Sequence, residues 1–244
     1  MTDICTQCEK KYQKVAMHWS KSSQCKHPSF SNYHKEIITG ILMGDGCIGR
    51  NGKNPRLICR MISPNYLNYV DQQFGIFGNG VSMCKTAKES AEHASKSGFR
   101  PNAKPENYHD IYKWSSMKHP ELKKFSNWYK TGKKVWPESI ELTPTVLKHW
   151  YCGDGTWNNT GTKNRIKIGM SNEVDNREKV SNLFRNVGLP QPSNYNINEY
   201  NDGGKKCDAE FTVEQSKRLW KYMGEPLPDF EYKWPDKEYY NACF

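Results

Sequence analysis

Two aspartates in matching surroundings are the residues of this chain best suited to chemistry. Asp45 stands near the end of Ile38–Gly46, with the sequence ITGILMGDG, and Asp154 near the end of Leu147–Gly155, with the sequence LKHWYCGDG. In both segments an apolar run of helical character ends in Gly-Asp-Gly. A single Gly-Asp-Gly would indicate no more than a turn, because both residue types favour turns. Two copies at matching positions indicate a carboxylate site built by duplication.

The glycines in these segments predict how the two carboxylates meet. Gly40, Gly44 and Gly153 leave room for two helices to cross backbone to backbone, which would place Asp45 and Asp154 side by side. Paired carboxylates, with backbone carbonyls freed at the helix ends, suit Mg²⁺. Such a site would support phosphodiester hydrolysis, because the metal lowers the pKa of water and stabilises the attacking and leaving oxygens.

The elements around the two motifs repeat as well, and each half is predicted to follow the order α-β-β-α-β-β-α. The first half has strand-like segments near 56–62, 76–86 and 109–116 and helix-like segments near 64–74 and 119–130. The second half has strand-like segments near 165–170, 194–200 and 205–213 and helix-like segments near 172–187 and 214–223. The polar stretch near 87–107 predicts a long hairpin loop. We therefore expect an α+β fold with halves at 33–137 and 138–244.

A second group of chemically capable residues lies near the N-terminus. It has the pattern C-x2-C-x9-H-x6-C and consists of Cys5, Cys8, His18 and Cys25. A Cys-x2-Cys pair places two thiolates on one Zn²⁺, and a helix can supply further ligands. His27 in place of Cys25 is a variant, and a chance cluster of reduced cysteines is the alternative to a metal site. Because about 30 residues cannot bury a core unaided, residues 1–30 are predicted to form a zinc-stabilised module, with a linker at 27–29.

Charge and composition narrow the classes of function. The chain has 36 Lys and Arg against 26 Asp and Glu, a formal net charge of +10, which favours a polyanionic partner. No apolar run approaches the ~18 residues that a membrane-spanning helix needs, and the N-terminus lacks the charged and apolar segments of a signal peptide. We expect an intracellular protein with reduced cysteines and no membrane partner.

The two motifs resemble those of a known family. Ile38–Gly46 and Leu147–Gly155, the latter with its lead-in from Leu142, are similar to the first and second motifs of the monomeric LAGLIDADG homing endonucleases. The resemblance covers most of the chain beyond the N-terminal module. It implies two pseudo-symmetric halves that form a DNA-binding saddle over the major groove. It also implies a monomer that makes a double-strand break in a long, nearly asymmetric DNA target.

The resemblance also implies roles for individual residues. Metal contacts would come from Asp45, Asp154 and the backbone carbonyls of Gly44 and Gly153. Lys134 and Lys233, each shortly before a tryptophan and a proline, match the basic residue that closes each half in the family. A lysine there would polarise water or stabilise the charge of the phosphorane. A generic phosphate contact is the alternative role.

Some positions depart from the family's pattern. The carboxylate usually found two residues before the metal-binding aspartate is replaced by Met43 in one motif and by Cys152 in the other. The third motif position is Gly40 in the first copy and His149 in the second, which puts in doubt how closely the helices cross there. We interpret His149 as a packing residue, because an isolated histidine on a helix more often packs than catalyses.

Basic residues on and beside the predicted strands are the candidates for DNA contact. In the first half they are Arg50, Lys53, Arg56, Arg60 and Lys85, and in the second half Lys163, Arg165, Lys167, Lys205 and Lys206. The alternation of Arg165 and Lys167 with Ile166 and Ile168 predicts a strand with one charged face and one core face. Arginine or lysine would contact guanine, and asparagine or glutamine adenine.

The sequence therefore predicts a site-specific, Mg²⁺-dependent DNA endonuclease with an N-terminal zinc module that extends its DNA contact. An intron RNA maturase, or a non-catalytic DNA-binding regulator on the same scaffold, is the alternative. Retention of aspartate in both motifs favours the nuclease.

Overall fold

The computed structural model describes residues 3–50, 53–98, 100–129, 132–159, 164–200 and 203–236. The chain divides into two compact units. The first consists of Met1–His34 and Cys47–Ser126, and the second of Lys35–Gly46 and Asn127–Phe244. Both motif segments, with their aspartates, therefore belong to the second unit.

The first unit begins with a small N-terminal module and continues with a four-stranded sheet. The module contains β1 (Asp3–Ile4), β2 (Lys11–Tyr12) and α1 (Val15–Lys21). Helix α2 (Asn32–Met43) begins in this unit and continues into the second. The following elements are β3 (Cys47–Gly49), β4 (Arg56–Met61), α3 (Pro64–Phe74), β5 (Gly78–Lys85), α4 (Ala87–Lys96) and β6 (Ile111–Ser116), with 3₁₀ segments at Gly75–Phe77, Pro105–Asn107 and Pro120–Tyr129.

The first sheet is antiparallel, with the strand order β3-β4-β6-β5. Cys59 and Trp114 are cross-strand partners and both are buried. The Trp114 ring packs edge-on against Phe74 of α3, with 4.8 Å between ring centroids. Successive side chains point to opposite faces of a strand, so the next pair, Arg60 and Lys113, lies on the other face. One face of this sheet therefore packs on α3, and the other carries basic residues.

The second unit repeats this architecture. Its elements after α2 are α5 (Pro144–Asp154), β7 (Gly155–Asn158), β8 (Arg165–Gly169), α6 (Arg177–Asn186), β9 (Asn194–Glu199), β10 (Lys205–Glu210) and α7 (Val213–Met223), with 3₁₀ segments at Ser171–Glu173 and Glu231–Lys233. The sheet is antiparallel, in the order β7-β8-β10-β9. Ile166 and Ile168 of β8 are fully buried, which confirms the alternation predicted for this strand.

The largest difference from the sequence-based expectation lies in 87–107, where we predicted a long hairpin loop. The structure has helix α4 there. The Thr86 hydroxyl accepts the backbone N–H of Glu89, and the Glu89 carboxylate accepts the backbone N–H of Thr86, which is a capping box. Ala91 and Ala94 supply the buried side of the helix. The loop prediction was wrong because a stripe of small alanines among charged residues gives little hydropathy signal.

Two further helices differ in their details. The helix expected near 119–130 is a 3₁₀ segment, and the one expected near 172–187 begins only at Arg177, after the 3₁₀ segment Ser171–Glu173. The buried Glu173 carboxylate accepts the side-chain N–H of Asn176 at 2.9 Å, which fixes a turn before the helix starts. The order α-β-β-α-β-β-α is otherwise confirmed, with α4 as an addition. No helix within the described ranges is long and apolar enough to cross a membrane.

The segment after the N-terminal module is packed against the rest of the first unit. Phe30 is buried, with its ring centroid 4.1 Å from that of His119. His119 Nε2 lies 2.9 Å from the carbonyl oxygen of Pro28, and the backbone N–H of Phe30 donates to a carboxylate oxygen of Glu121 at 3.2 Å. The segment 27–29, predicted as a linker, has no regular secondary structure and is packed against the first unit. The aromatic residue directly after it anchors the segment.

Candidate active site and metal-binding cluster

The C-terminal ends of α2 and α5 approach each other at backbone contact. A Cβ atom on Gly44 would lie 3.4 Å from the Cα atom of Gly153, and one on Gly153 would lie 3.2 Å from the backbone nitrogen of Asp45. Further back along the helices, a Cβ atom on Gly40 would lie only 2.6 Å from Cβ of His149. The predicted close crossing is therefore confirmed. It depends on glycine at position 40, because no other residue fits against the histidine.

The residues that depart from the family's pattern are buried. Met43 and Cys152 lie in the core, where each occupies the place of the usual carboxylate with an apolar side chain. His149 is also buried, and burial lowers its pKa to about 3, with a smaller contribution from the charge of Lys148. A neutral imidazole is therefore part of the packing between the two helices.

Asp45 and Asp154 line one cavity with a volume of about 880 Å³. Asp45 keeps an exposed side chain, whereas Asp154 is half-buried. Although Asp45 is exposed at the cavity surface, the protein atoms around its carboxyl group displace water and raise its pKa, against the charges of Lys134 and Lys233. Burial, and then the charge of Asp45, raise the pKa of Asp154 to about 7. Two carboxylates that resist ionising together make the cavity favourable for a cation.

Lys134 binds the end of α2. Its Nζ donates to the backbone carbonyl oxygen of Gly44 at 2.5 Å and to that of Gly46 at 3.3 Å. The last carbonyls of a helix have no partner within the helix and carry its negative dipole end. The lysine therefore satisfies carbonyls beside Asp45 and places a positive charge in the same cavity.

Lys233 binds the end of α5 in the same way, but from a buried position. Its Nζ donates to the carbonyl oxygen of Cys152 at 2.6 Å and lies 3.4 Å from those of Tyr151 and Gly153. The residue is 7% exposed. Burial lowers the pKa of Lys233, and the nearby carboxylates of Asp45 and Asp154 oppose this shift. The Tyr151 hydroxyl donates to the backbone carbonyl of Lys233 at 2.7 Å, so helix and lysine hold each other.

A buried ion pair holds the segment that carries Lys134. Glu173 is fully buried, with its carboxylate 2.5 Å from the ammonium of Lys179. Glu173 also accepts the backbone N–H of Trp136 at 2.5 Å, and Lys179 donates to the Trp136 carbonyl at 3.0 Å. The Trp136 ring packs edge-on on Trp150 of α5. The backbone N–H and carbonyl of Trp136, two positions after Lys134, are thus both hydrogen-bonded. Sequence analysis missed this pair, because no local motif links its members.

The oxygen atoms at the two helix ends fit a hard divalent cation. Two carboxylates and freed backbone carbonyls are the ligands that Mg²⁺ takes in proteins. The carbonyls of Gly44 and Gly153 accept from lysines, but each carbonyl oxygen has a second lone pair. The predicted metal ligands Asp45, Asp154, Gly44 and Gly153 are therefore brought together by the structure.

A separate cluster forms in the N-terminal module. The ligand atoms of its members lie within 4.8 Å of one another, and the members are Cys5, Cys8, His18 and Cys25. His27 is not part of it, since its Nε2 lies 3.1 Å from the Ser20 hydroxyl. The spacing of the pattern thus predicted four side chains that the fold brings to one point.

Neighbouring groups act on the thiols of this cluster. Burial would raise the pKa of Cys5, but a backbone N–H of Gln7 and the indole N–H of Trp19, 3.2 Å from Sγ, lower it to about 6. The His18 ring stacks on Tyr12, with 4.0 Å between centroids, and its Nε2 lies 3.6 Å from Sγ of Cys8. A thiol stabilised as thiolate beside an oriented imidazole is a suitable donor set for zinc.

Comparison with known proteins identifies the family. The sequence model of the LAGLIDADG DNA endonuclease family matches residues 35–190, more than half of the chain. The chain belongs to this family. The match includes Asp45, Lys134 and Asp154, whereas Lys233 and the cysteine cluster lie outside it. No curated protein matches the sequence significantly.

Several solved structures are similar to this chain. The homing endonuclease I-WcaI bound to its DNA recognition sequence is 14% identical, with a TM-score of 0.66 over 90% of this chain and 91% of that one. Full-length DUF199/WhiA from Thermatoga maritima is 8% identical, with a TM-score of 0.50 over 89% and 62% of the two chains. I-DmoI in complex with DNA and Mn is 13% identical, with a TM-score of 0.46 over 80% and 98%.

In the second LAGLIDADG half, one sheet face is polar throughout, but the predicted lysines on it have acidic partners. Lys167 lies 2.6 Å from Glu210, and Lys206 lies 3.1 Å from Asp208. Lys205, on the opposite face of β10, lies 3.3 Å from Glu199. Arg165 is exposed at the start of β8, and Lys163 lies outside the described residues. This face therefore offers paired charges and neutral donors instead of a uniform positive surface.

Three asparagines on this face were missed by sequence analysis. Asn194, Asn196 and Asn198 of β9 pair with Glu210, Asp208 and Lys206 of β10 and so share their face. Their spacing of two residues in NYNINE was the available signal, because such spacing places all three on one side of a strand.

In the first half, Arg56 and Arg60 share the open face of the sheet, and Lys113, which sequence analysis missed, stands opposite Arg60. The remaining candidates lie at its margins. Lys85 is half-buried at the end of β5, Lys53 is exposed in a bend, and Arg50 donates to the carbonyl oxygen of Ser126 at 2.8 Å.

Proposed function

We propose that this protein is a site-specific DNA endonuclease that hydrolyses both strands of a long, nearly asymmetric duplex target with the help of Mg²⁺. The observation that carries the proposal is the pair of aspartates at the contact of two helix ends, with a lysine bonded to each end. Family membership and the fold shared with DNA-bound I-WcaI support it.

The proposal gives one task to the oxygen ligands at the two helix ends and another to the two lysines. Asp45 and Asp154, with the Gly44 and Gly153 carbonyls, would hold Mg²⁺, which lowers the pKa of a bound water and stabilises phosphate charge. Lys134 and Lys233 hold the helix ends in place. Their ammonium groups would also stabilise the negative charge that develops on the phosphorane.

The proposed partner is double-stranded DNA bound by a monomer across the open faces of both sheets. Arg56, Arg60 and Lys113 would supply phosphate and guanine contacts in the first half. Asn194, Asn196 and Asn198 would supply adenine contacts in the second, where the acid-paired lysines are less available. Specificity would therefore be read with different side chains in the two halves, which suits an asymmetric target.

The decisive experiment is selection of cleaved sites from a randomised duplex library with Mg²⁺. We expect one dominant target sequence and a double-strand break. The same selection with the double variant Asp45→Asn, Asp154→Asn provides the control, which should bind the recovered target without cutting it. Cleavage by this variant at the wild-type rate would refute the assignment. Tight binding of intron RNA, together with no DNA cleavage by the wild type, would favour the maturase.

We further propose that Cys5, Cys8, His18 and Cys25 bind a structural Zn²⁺. The expected result is one zinc per chain by elemental analysis, and its loss in Cys8→Ser. Cys84→Ser is the matched control, because Cys84 is an exposed thiol outside the cluster. Zinc retained at full occupancy by Cys8→Ser, or absent from the wild type, would contradict the site.

A further inference from the structure

A groove lies between the N-terminal module and one end of the first sheet. Its volume is about 390 Å³, and its walls are α1 on one side and the ends of β4, β5 and β6 on the other. The basic side chains that line it are Lys14, Lys21, Arg56 and Lys118, and the acidic one is Asp3. None of the four basic residues has an ion-pair partner within the part of the chain that the structure describes. The groove is therefore positive.

The walls of this groove are fixed with respect to each other. On the sheet side, the Asn79 amide donates to the carbonyl oxygen of Ser116 at 2.7 Å. On the module side, the contact of Phe30 with His119 ties the module to the sheet unit. A ligand that enters the groove would therefore meet a preformed site and would not have to order it first.

The groove continues a row of positive charge on the sheet. Arg56 lines the groove and also shares the open sheet face with Arg60, four residues further along β4. Four residues of strand span ~13 Å, and Lys113 stands beside Arg60. A polyanion that lies on the sheet face would thus meet positive charge at Lys113 and Arg60, then at Arg56, and then in the groove.

The lining also indicates the kind of polyanion. Among the described residues that line the groove there is no aromatic side chain. Proteins that bind single strands stack bases on aromatic rings, whereas duplex backbones are held by lysine and arginine. The exposed Lys14, Lys21 and Lys118 suit phosphate oxygens and have no surface on which to stack a base.

We propose that this groove binds the phosphate backbone of duplex DNA flanking the target, beyond the segment read by the first sheet. This rests on the proposed function, because it takes duplex DNA as the ligand. The groove adds affinity without reading sequence, since each neutralised phosphate releases counterions whatever the base.

The test compares two triple variants of the full chain. The groove variant is Lys14→Gln, Lys21→Gln, Lys118→Gln. The control is Lys10→Gln, Lys11→Gln, Lys26→Gln, which removes the same charge from exposed lysines of the module outside the groove. Affinity is measured against salt for the selected target, once with long flanks and once trimmed at the ends. Zinc content and thermal unfolding check that both variants fold.

For the groove variant on the long duplex, we expect about tenfold weaker binding and a salt slope smaller by ~2.7, from three lost phosphate contacts. The control should change the slope by less than ~1, and trimming the flank should remove the difference between the variants. Equal losses of affinity in both variants would overturn the groove proposal. So would a loss of affinity in the groove variant that persists on the trimmed duplex. Neither result would bear on DNA cleavage by the wild type, which tests the proposed function separately. A groove defect confined to structured RNA would also overturn the groove proposal.

Discussion

In the second unit, the C-terminal ends of α2 and α5 each carry an aspartate and bind a lysine, but the two lysines are held in different ways. At the α2 end, Asp45 is exposed and Lys134 is half-buried. Glu173 and Lys179, the clamp, hold the segment of Lys134 through hydrogen bonds to the backbone of Trp136. At the α5 end, Asp154 is half-buried, and Lys233 is buried. The lysine of the α2 end is thus held through a separate ion pair, whereas the lysine of the α5 end is held by direct hydrogen bonds with α5.

Loss of either aspartate should have the largest effect. In Asp45→Asn and in Asp154→Asn, we expect double-strand cleavage to fall by about a thousandfold or more, because a metal site contributes several kcal/mol to the transition state. Binding of the target should persist. Quantitative cleavage of supercoiled and linear substrates checks whether each variant nicks one strand only. Equal residual rates on both strands in both variants would show that the two ends do not act separately.

Loss of the clamp should affect the α2 end alone. Glu173→Ala leaves Lys179 buried without its partner, which costs about 3–5 kcal/mol, and it frees the backbone of Trp136. We expect Lys134 to gain reactivity toward an amine-labelling reagent while Lys233 stays protected, as read by mass spectrometry below the melting temperature. Glu178→Ala, which removes an exposed partner of Arg185, is the matched control and should change neither lysine. Equal labelling gains at both lysines would contradict the separation.

Replacement of Lys134 or Lys233 should lower the stability of the protein by different amounts. Lys233→Met leaves several buried carbonyls of α5 without a donor, at a cost of about 1–3 kcal/mol, which corresponds to a lower Tm by ~2–4 °C for each kcal/mol. Lys134→Met should cost less, because water can reach its half-buried site. Both should slow cleavage. Calorimetry on the two variants measures the difference, and a larger loss for Lys134→Met would reverse the comparison.

The smallest expected effect is a pH dependence that comes mainly from Asp154. Its pKa of about 7 in the folded chain exceeds the ordinary 3.8. At Asp154 the folded state therefore binds more protons than the unfolded state in this range, and the contribution of this group to the stability of the metal-free protein falls as pH rises from about 4 to about 7.

Asp154→Asn removes this ionisation and should raise the Tm of the Mg²⁺-free protein near pH 8 by at least ~2 °C, with little change near pH 4. Asp45→Asn should show a smaller gain, because Asp45 is exposed. Thermal unfolding of the three proteins at both pH values is the measurement. A Tm difference between Asp154→Asn and the wild type that does not grow from the lower to the higher pH would contradict the raised pKa.

Predictions from the sequence succeeded where a pattern is local. The helix ends at the motifs, the alternation of Ile166 and Ile168 in β8, and the spacing of the N-terminal cysteines each follow from a few adjacent positions. Helix α4 failed because its buried stripe consists of alanines. Glu173 and Lys179 were missed because their partner, Trp136, lies 37 residues away from Glu173 in the chain.

The sequence by itself determined the duplicated family fold, the two aspartates and the four residues of the cysteine cluster, because backbone sterics and ligand spacing act over short distances. Only the tertiary structure decided that Gly40 makes room for His149, that Lys134 and Lys233 bind helix carbonyls, and that acids pair with most of the lysines of the second sheet. It also placed Arg56 at the junction of sheet and groove. The physical reason is that burial and charge pairing depend on residues brought together from separate segments, which no local pattern contains.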